Sequence, residues 1–232
     1  MNKEIQFHDL GIKDFQETWD YQEALFKKIV DLKIQKRIQP EIITPNYILF
    51  VEHPHVYTLG KSGAMSNLLL SEKQLETKGA SFYKINRGGD ITYHGPGQII
   101  GYPILDLENF FTDIHKYLRF LEEVIILTLA EYNIIGTRSE GETGVWIDIG
   151  TPFVRKICAM GVRASRWVTM HGFALNINTN LGYFDYIIPC GIKGKAVTSL
   201  HVELGKTVNE VEVKAIIIKH FQKIFEAKII SN

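Results

Sequence analysis

The chain has 232 residues, 45% hydrophobic and 22% charged, which is ordinary globular composition and length enough for one substantial core. Its 26 Lys+Arg balance 26 Asp+Glu, so a net charge of zero excludes a global field that steers nucleic acid or an anionic membrane. Apolar runs such as Val124–Ala130 fall short of the roughly 20 residues that span a bilayer. Met1–Leu10 carries Lys3, Glu4 and Asp9 and lacks the apolar core of a secretory signal. With only Cys158 and Cys190 there is no disulfide framework. The expectation is one domain over residues 1–232, cytoplasmic, with both thiols free for chemistry or for packing.

Asp14–Ile38 predicts an amphipathic helix, with Phe15, Trp19, Phe26 and Ile29 on one stripe and an Asp14/Glu17 pair at its start. Asn46–His53 and Val56–Gly60 read as strands broken by Pro54, and Ser81–Asn86 as another. Gln98–Leu107 is almost wholly apolar, as in a strand buried on both faces, while Pro103 suggests an edge or a bulge. Thr112–Asn133 places Ile114, Leu118, Leu121, Ile125 and Leu129 on one helical stripe, bounded by a polar Thr-Arg-Ser-Glu-Gly stretch. Further strands are expected at Gly144–Ile149, Phe153–Val162 and Val168–Asn178, then an irregular stretch through Pro189-Cys190-Gly191. A last helix begins near Thr207, where Thr207 and Glu210 fit a capping box. Helices flanking strands without regular βαβ alternation predict an α+β domain around a mixed, largely antiparallel sheet.

Chemistry concentrates in two places. Arg87–Gln98 holds four glycines, Arg87 and His94 within twelve residues, a density suited to a loop that lines a pocket, with close backbone approach, an arginine to anchor a carbonyl or phosphate, and an imidazole donor. Neither the phosphate-binding loop nor the dinucleotide fingerprint is present. Cys190, between Pro189 and Gly191, is placed to expose a thiol, whereas Cys158 lies in the apolar run Ile157–Val162 and reads as a buried small hydrophobe. A nucleophilic cysteine needs a base or a positive neighbour. Lys156 interrupts an apolar strand and serves if its surroundings desolvate it; simple alternation instead puts it on one face with Val154 and Cys158, open to solvent. His94 and His171 are the other candidate bases. His53-Pro54-His55 offers two histidines without further ligands at suitable spacing, so no metal is expected.

The chain resembles the octanoyl-carrier-protein:protein octanoyltransferases, also called lipoyl(octanoyl) transferases. The resemblance rests on Glu52-His53-Pro54, Tyr57–Gly60, Arg87–Gln98, Tyr102-Pro103, Leu105–Leu107, Gly144–Trp146, Lys156, Gly161-Val162, Arg166–Thr169, His171–Asn176, Pro189–Ile192 and Val197–Leu200, and covers about Asn46–Leu204. It implies a fold similar to biotin and lipoate protein ligases. It also implies that Cys190 carries the acyl group as a thioester and that Lys156 activates the thiol. Substrate-lining positions carried over are Arg87, Gly88, Gly89, Asp90, Ile91, Thr92, Tyr93, His94, Ala159, Met160, Gly161, Gly172, Phe173 and Ala174. Cys158 departs from many relatives, which carry a small residue without a thiol there.

The activity so implied is octanoyl transfer from acyl carrier protein, delivered on its phosphopantetheine arm, to a lysine of lipoyl domains. Those domains belong to 2-oxoacid dehydrogenase E2 subunits and the glycine cleavage H protein. No ATP or other cofactor is needed, since thioester to amide runs downhill, and no nucleic acid or membrane partner is expected. Acidic partners would dock on Arg155, Arg163, Arg166, Lys193 or Lys195. The rival readings are an ATP-dependent lipoate- or biotin-type ligase, a non-catalytic acyl- or lipoyl-binding module, and a cysteine hydrolase pairing Cys190 with His94 or His171.

Overall fold

A computed structural model describes residues 1–188 and 196–231. The first strand, β1 (Glu4–Ile12), leads into α1 (Phe15–Lys36). Asp14 caps this helix, its Oδ1 accepting from the N–H groups of Gln16 at 2.8 Å and Glu17 at 3.2 Å. Strands β2 (Tyr47–Glu52) and β3 (Val56–Leu59) follow, with the break at Pro54. Then come α2 (Glu72–Thr77), β4 (Ser81–Lys84), β5 (Ile91–His94) and β6 (Gln98–Ile104). Asp113 caps α3 (Ile114–Ala130), and β7 (Val145–Ile147), β8 (Arg155–Ser165) and β9 (Val168–Asn176) complete the middle of the chain. The last elements are β10 (Ala196–Val197), α4 (Leu200–Leu204), α5 (Glu210–Phe225) and β11 (Lys228–Ser231). Among the described residues no helix is long and apolar enough to cross a membrane.

The main sheet runs β10-β8-β9-β6-β2-β1-β11, with β7 also pairing β8. Its centre is antiparallel, whereas β1 pairs β2 and β11 in parallel and β10 pairs β8 in parallel. A second sheet, β4-β3-β5, stands apart from it. One face of the main sheet packs on α3 and α5 through Phe50, Ile99, Leu121, Ile125, Leu175, Ile217 and Phe221. The other packs on α1, where Leu25, Phe26 and Ile29 meet Leu49, Ile104 and Met170. This is the predicted α+β arrangement of a mixed sheet flanked by helices.

Three expectations need correction. Within Arg87–Gln98, read as one loop, residues 91–94 form β5, because they pair antiparallel with β3. The expected capping box at Thr207 and Glu210 does not form: Asn209 is the cap, accepting from Val211 N–H at 3.0 Å, and α5 starts at Glu210. Pro103 lies in a central strand and not at an edge. Its pairing with β2 is unbroken, but the ladder from β6 to β9 is interrupted after Gly101↔Phe173 and resumes only beyond β6, at Asp106↔Val168. Past that point the proline has no N–H to give, and His171 of β9 takes a positive φ of 59° and donates its own N–H to Gln22 of α1 at 3.0 Å.

Asp106, just after β6, is 1% exposed and accepts from Lys33 Nζ of α1, from Thr44 Oγ1 at 2.7 Å and from Glu108 N–H at 3.2 Å. This carboxylate ties α1 to the sheet. Asp106→Ala leaves a nearly buried ammonium without its principal counter-charge. It is expected to cost about 3–5 kcal/mol, read as a lower urea midpoint at unchanged slope.

Candidate active site

A cavity of about 740 Å³ lies where the segment after β4, the paired strands β8 and β9, and the first turns of α1 and α3 converge. Its wall includes thirteen of the fourteen predicted lining positions: Arg87, Gly88, Gly89, Asp90, Ile91, Thr92, His94, Ala159, Met160, Gly161, Gly172, Phe173 and Ala174. Tyr93 is the exception. It is fully buried and packs among Tyr57, Leu75 and Phe184, and this position is corrected from lining to packing.

Arg87 is 8% exposed, and its guanidinium is used inside the protein. Nη2 donates to the carbonyl of Thr58 at 2.7 Å and to its Oγ1 at 3.0 Å, and Nη1 donates to the carbonyl of Gly88 at 3.0 Å. The loop lies close on two glycines. A Cβ at Gly60 would sit 2.2 Å from the oxygen of Gly89, and one at Gly161 would sit 2.8 Å from the oxygen of Gly88. Gly88 N–H also donates to Val162 O at 2.9 Å, so the loop is stitched to β8 beyond the end of its pairing with β7.

Lys156 lines the same cavity, which settles the question of which face it shares. The β7–β8 ladder pairs Trp146 with Lys156 and Val145 with Cys158, which leaves Ile157 as an extra residue in β8. Ile157 and Cys158 consequently both enter the core, and Lys156 joins Ala159 and Gly161 at the cavity. Its Nζ stands 4.4 Å from the centroid of the Trp146 ring and 3.4 Å from the carbonyl oxygen of Thr143, to which it donates. Cys158 is fully buried, and burial pushes its thiol well above the usual range. Cys190, with Lys193 and Lys195, lies outside the described residues.

The buried histidines are held neutral. His94 donates from Nδ1 to Gln98 Oε1 at 2.8 Å, and Gln98 passes the chain on to Asn176 Oδ1 at 2.8 Å. Burial lowers His94 to about 3, and burial aided by Arg87 does the same for His171, whose Nε2 donates to Asn86 Oδ1 at 2.8 Å. His53, lowered to about 4 by burial, spans the carbonyl of Lys13 at 2.7 Å and the hydroxyl of Tyr102 at 3.0 Å. His55 points elsewhere, to the Tyr93 hydroxyl at 2.7 Å with its ring stacked on Tyr183. The two histidines of His53-Pro54-His55 therefore do not converge.

Among the basic residues expected to dock partners, Arg155 is held bidentate by Glu203 at 2.6 Å and 2.6 Å and also meets Asp148 at 2.5 Å; Arg163 pairs with Glu23 at 2.7 Å. Arg166 sits exposed in the β8–β9 turn. Lining residues that sequence reasoning missed include Phe15, Ile114 and Leu118 at helix starts, Tyr102 on β6, and Gly141, Glu142 and Thr143 before β7. Phe15, Ile114 and Leu118 were visible only as members of helical stripes.

The sequence profile of the lipoyl protein ligase A/B catalytic domain matches residues 14–222. The chain belongs to this family. It is 77% identical over 232 residues to the octanoyltransferase of Flavobacterium psychrophilum, covering 99% of this chain and 100% of that one. It is 72% identical over 231 residues to the octanoyltransferase of Christiangramia forsetii, covering 99% of each. The resemblance read from the motifs is thereby shown, and this family member is an acyltransferase. A crystal structure of lipoate-protein ligase A bound with ATP matches with a TM-score of 0.76 at 13% identity, covering 100% of this chain and 89% of that one, a likeness of fold.

The neutral histidines predict a pH dependence. The folded values of His53, His94 and His171 lie below the ordinary 6.5, so on acidification the unfolded chain takes up protons first. Their contribution is complete above about pH 6.5 and is lost as pH falls toward about 4 for His53 and about 3 for His94 and His171. Urea midpoints should fall between about pH 7 and pH 4.5, and His94→Gln should flatten part of that slope. Parallel slopes for the variant and the wild type would refute the assignment to His94.

Proposed function

We propose that this chain moves an octanoyl group from octanoyl-acyl carrier protein to a lysine of a lipoyl domain through an acyl thioester on Cys190. The observation that carries the reading is the half-buried Lys156, seated on Trp146 and the Thr143 carbonyl at the wall of a cavity that also holds the glycine-rich loop. Kinship to the octanoyltransferases supplies the acyl group. Apolar lining from Ile100, Ile114, Leu118, Met160 and Phe173 suits an alkyl chain, at roughly 0.8 kcal/mol for each buried CH₂.

In this mechanism the Lys156 amine takes the Cys190 thiol proton, and the sulfur attacks the carrier thioester carbonyl. The tetrahedral intermediate collapses with loss of the phosphopantetheine thiolate, which leaves as the thiol after taking that proton. The acceptor lysine's neutral amine then attacks the acyl-Cys190 carbonyl, an amide forms, and the proton it sheds returns to the cysteine sulfur. The first step exchanges one thioester for another and the second makes an amide from a thioester, so no nucleotide is required. Acyl carrier protein and lipoyl domains are accordingly the proposed partners. Engaged through hydrogen bonds and uncharged, His94 acts in this scheme as a wall and not as the base.

The fold likeness to an ATP-binding ligase makes adenylation the competing reading. Intact-mass spectrometry decides between them. Wild type and Cys158→Ala, mixed with octanoyl-acyl carrier protein without ATP, should each gain one octanoyl group that passes to an added lipoyl domain. Cys190→Ala should gain none, and Lys156→Ala should slow adduct formation by about a hundredfold or more. Modification that appears only with ATP, or an adduct that survives in Cys190→Ala, would overturn the proposal.

A further inference from the structure

Lys156 reaches the oxygen of one particular peptide, and that peptide is held from behind. The carbonyl of Thr143, which accepts from Lys156 Nζ at 3.4 Å, and the N–H of Gly144 belong to the same planar group. That N–H donates to Oε1 of Glu122 at 3.0 Å. Glu122 is on α3, its side chain fully buried, and its other oxygen is gripped by Arg119 at 2.8 Å and Arg138 at 3.1 Å. Arg138 also donates to the carbonyl of Arg119 at 3.1 Å and to Glu123 at 2.5 Å. The carboxylate is therefore fixed from two sides before it meets the peptide. A buried carboxylate is costly unless its lone pairs are used. Here one of its hydrogen bonds goes to the irregular segment 141–144, whose Gly141, Glu142 and Thr143 line the cavity with Lys156.

We infer that Glu122 is a positioning residue for the transfer reaction. By holding the Gly144 N–H it sets the plane of the 143–144 peptide, and so turns the Thr143 carbonyl toward Lys156 Nζ. Because a peptide is rigid, an acceptor on its N–H side orients its carbonyl on the opposite side, and the chain Glu122–peptide–Lys156 runs without a rotatable bond between its two hydrogen bonds. Glu123, next in sequence, pairs with the same Arg138 but has no hydrogen bond to this peptide among the described residues. The inference rests on the proposed role of Lys156.

The test compares Glu122→Leu, Glu122→Gln and Glu123→Gln. Leucine removes the acceptor; glutamine keeps a carbonyl oxygen for the Gly144 N–H. Glu122→Leu is expected to lower kcat for octanoyl transfer by about tenfold to a hundredfold with KM for the carrier changed less than about twofold, while Glu122→Gln recovers most of the loss and Glu123→Gln matches wild type. A second arm reads the lysine alone. Trace acetylation with acetic anhydride at fixed pH, quantified by mass spectrometry against Lys61, should rise severalfold at Lys156 in Glu122→Leu and not in Glu122→Gln. This arm does not involve Cys190, so a failure of the acyl-cysteine reading, seen as transfer by Cys190→Ala, is distinguishable from a failure of the positioning role. Equal losses in the leucine and glutamine variants, or unchanged Lys156 labelling in Glu122→Leu, would overturn it. Should Glu122→Leu not fold, hydrogen exchange on wild type substitutes: the Gly144 amide must exchange at least about tenfold more slowly than that of Gly141, and equal rates would also overturn the inference.

Discussion

A buried guanidinium that meets backbone carbonyls decides where the two sheets stand. Arg87 leaves the end of the β4 segment and folds under its own loop, and its donors go to Thr58 of β3 and to Gly88 beside it. Such a charge is tolerable out of water only when its donors are occupied, and charge-assisted bonds are the stronger kind. The arginine expected to reach for a substrate carbonyl or phosphate thus serves first as a strut. It holds β3 of the small sheet beside Gly161 of the large one, and the cavity is the space left on the other side of that contact. Bare backbone at Gly60 and Gly161 is the condition for it, because a methyl group at either would displace the loop.

Around this strut the buried histidines act as dipoles and not as charges. His94, Gln98 and Asn176 form a relay that continues from Asn176 Nδ2 to the carbonyl of Thr198 at 2.9 Å, and so reaches from the small sheet across β6 and β9 to the residues just after β10. His171, Asn86, Glu23 and Arg163 form a second relay toward α1 and β8. Neutral imidazoles suit such relays, since each donates at one nitrogen and accepts at the other. With its histidines uncharged, the cavity wall adds no imidazolium beside Lys156.

Much of this was legible in the residues, and the misses have physical causes. Helical stripes in α1 and α3 and the apolar run of β6 are long-period signals that tertiary context did not override. Asp14 as a cap was visible; Asn209 was passed over in favour of Thr207 because two residue types with similar capping power lie two positions apart. The edge strands β10 and β11, and β1 just inside β11, are not legible in the residues, since each is short or half-exposed and gains its identity from a partner far away in sequence, as β1 does from β11. Glycine density and the positions of Lys156 and His94 mark the cavity wall, but a motif does not tell which of its residues pack inward, as Tyr93 does.

The placement of Lys156 shows what a single extra residue does. Under strict alternation Lys156 and Cys158 share a face, so a lysine at the cavity would bring the second thiol with it and place two nucleophiles in one site. The bulge at Ile157 breaks that link: Cys158 turns under Val145 into the core, where burial holds it as a thiol, and the ammonium two residues earlier is left at the cavity. Gly144 completes the arrangement from the neighbouring segment, because its backbone passes where a Cβ would lie 2.6 Å from the carbonyl of Cys158. A strand that is apolar by composition can in this way present one cation to a cavity and keep its cysteine inert. The same bulge explains why composition and spacing alone left the role of Lys156 open while the backbone pairing closes the question of its face.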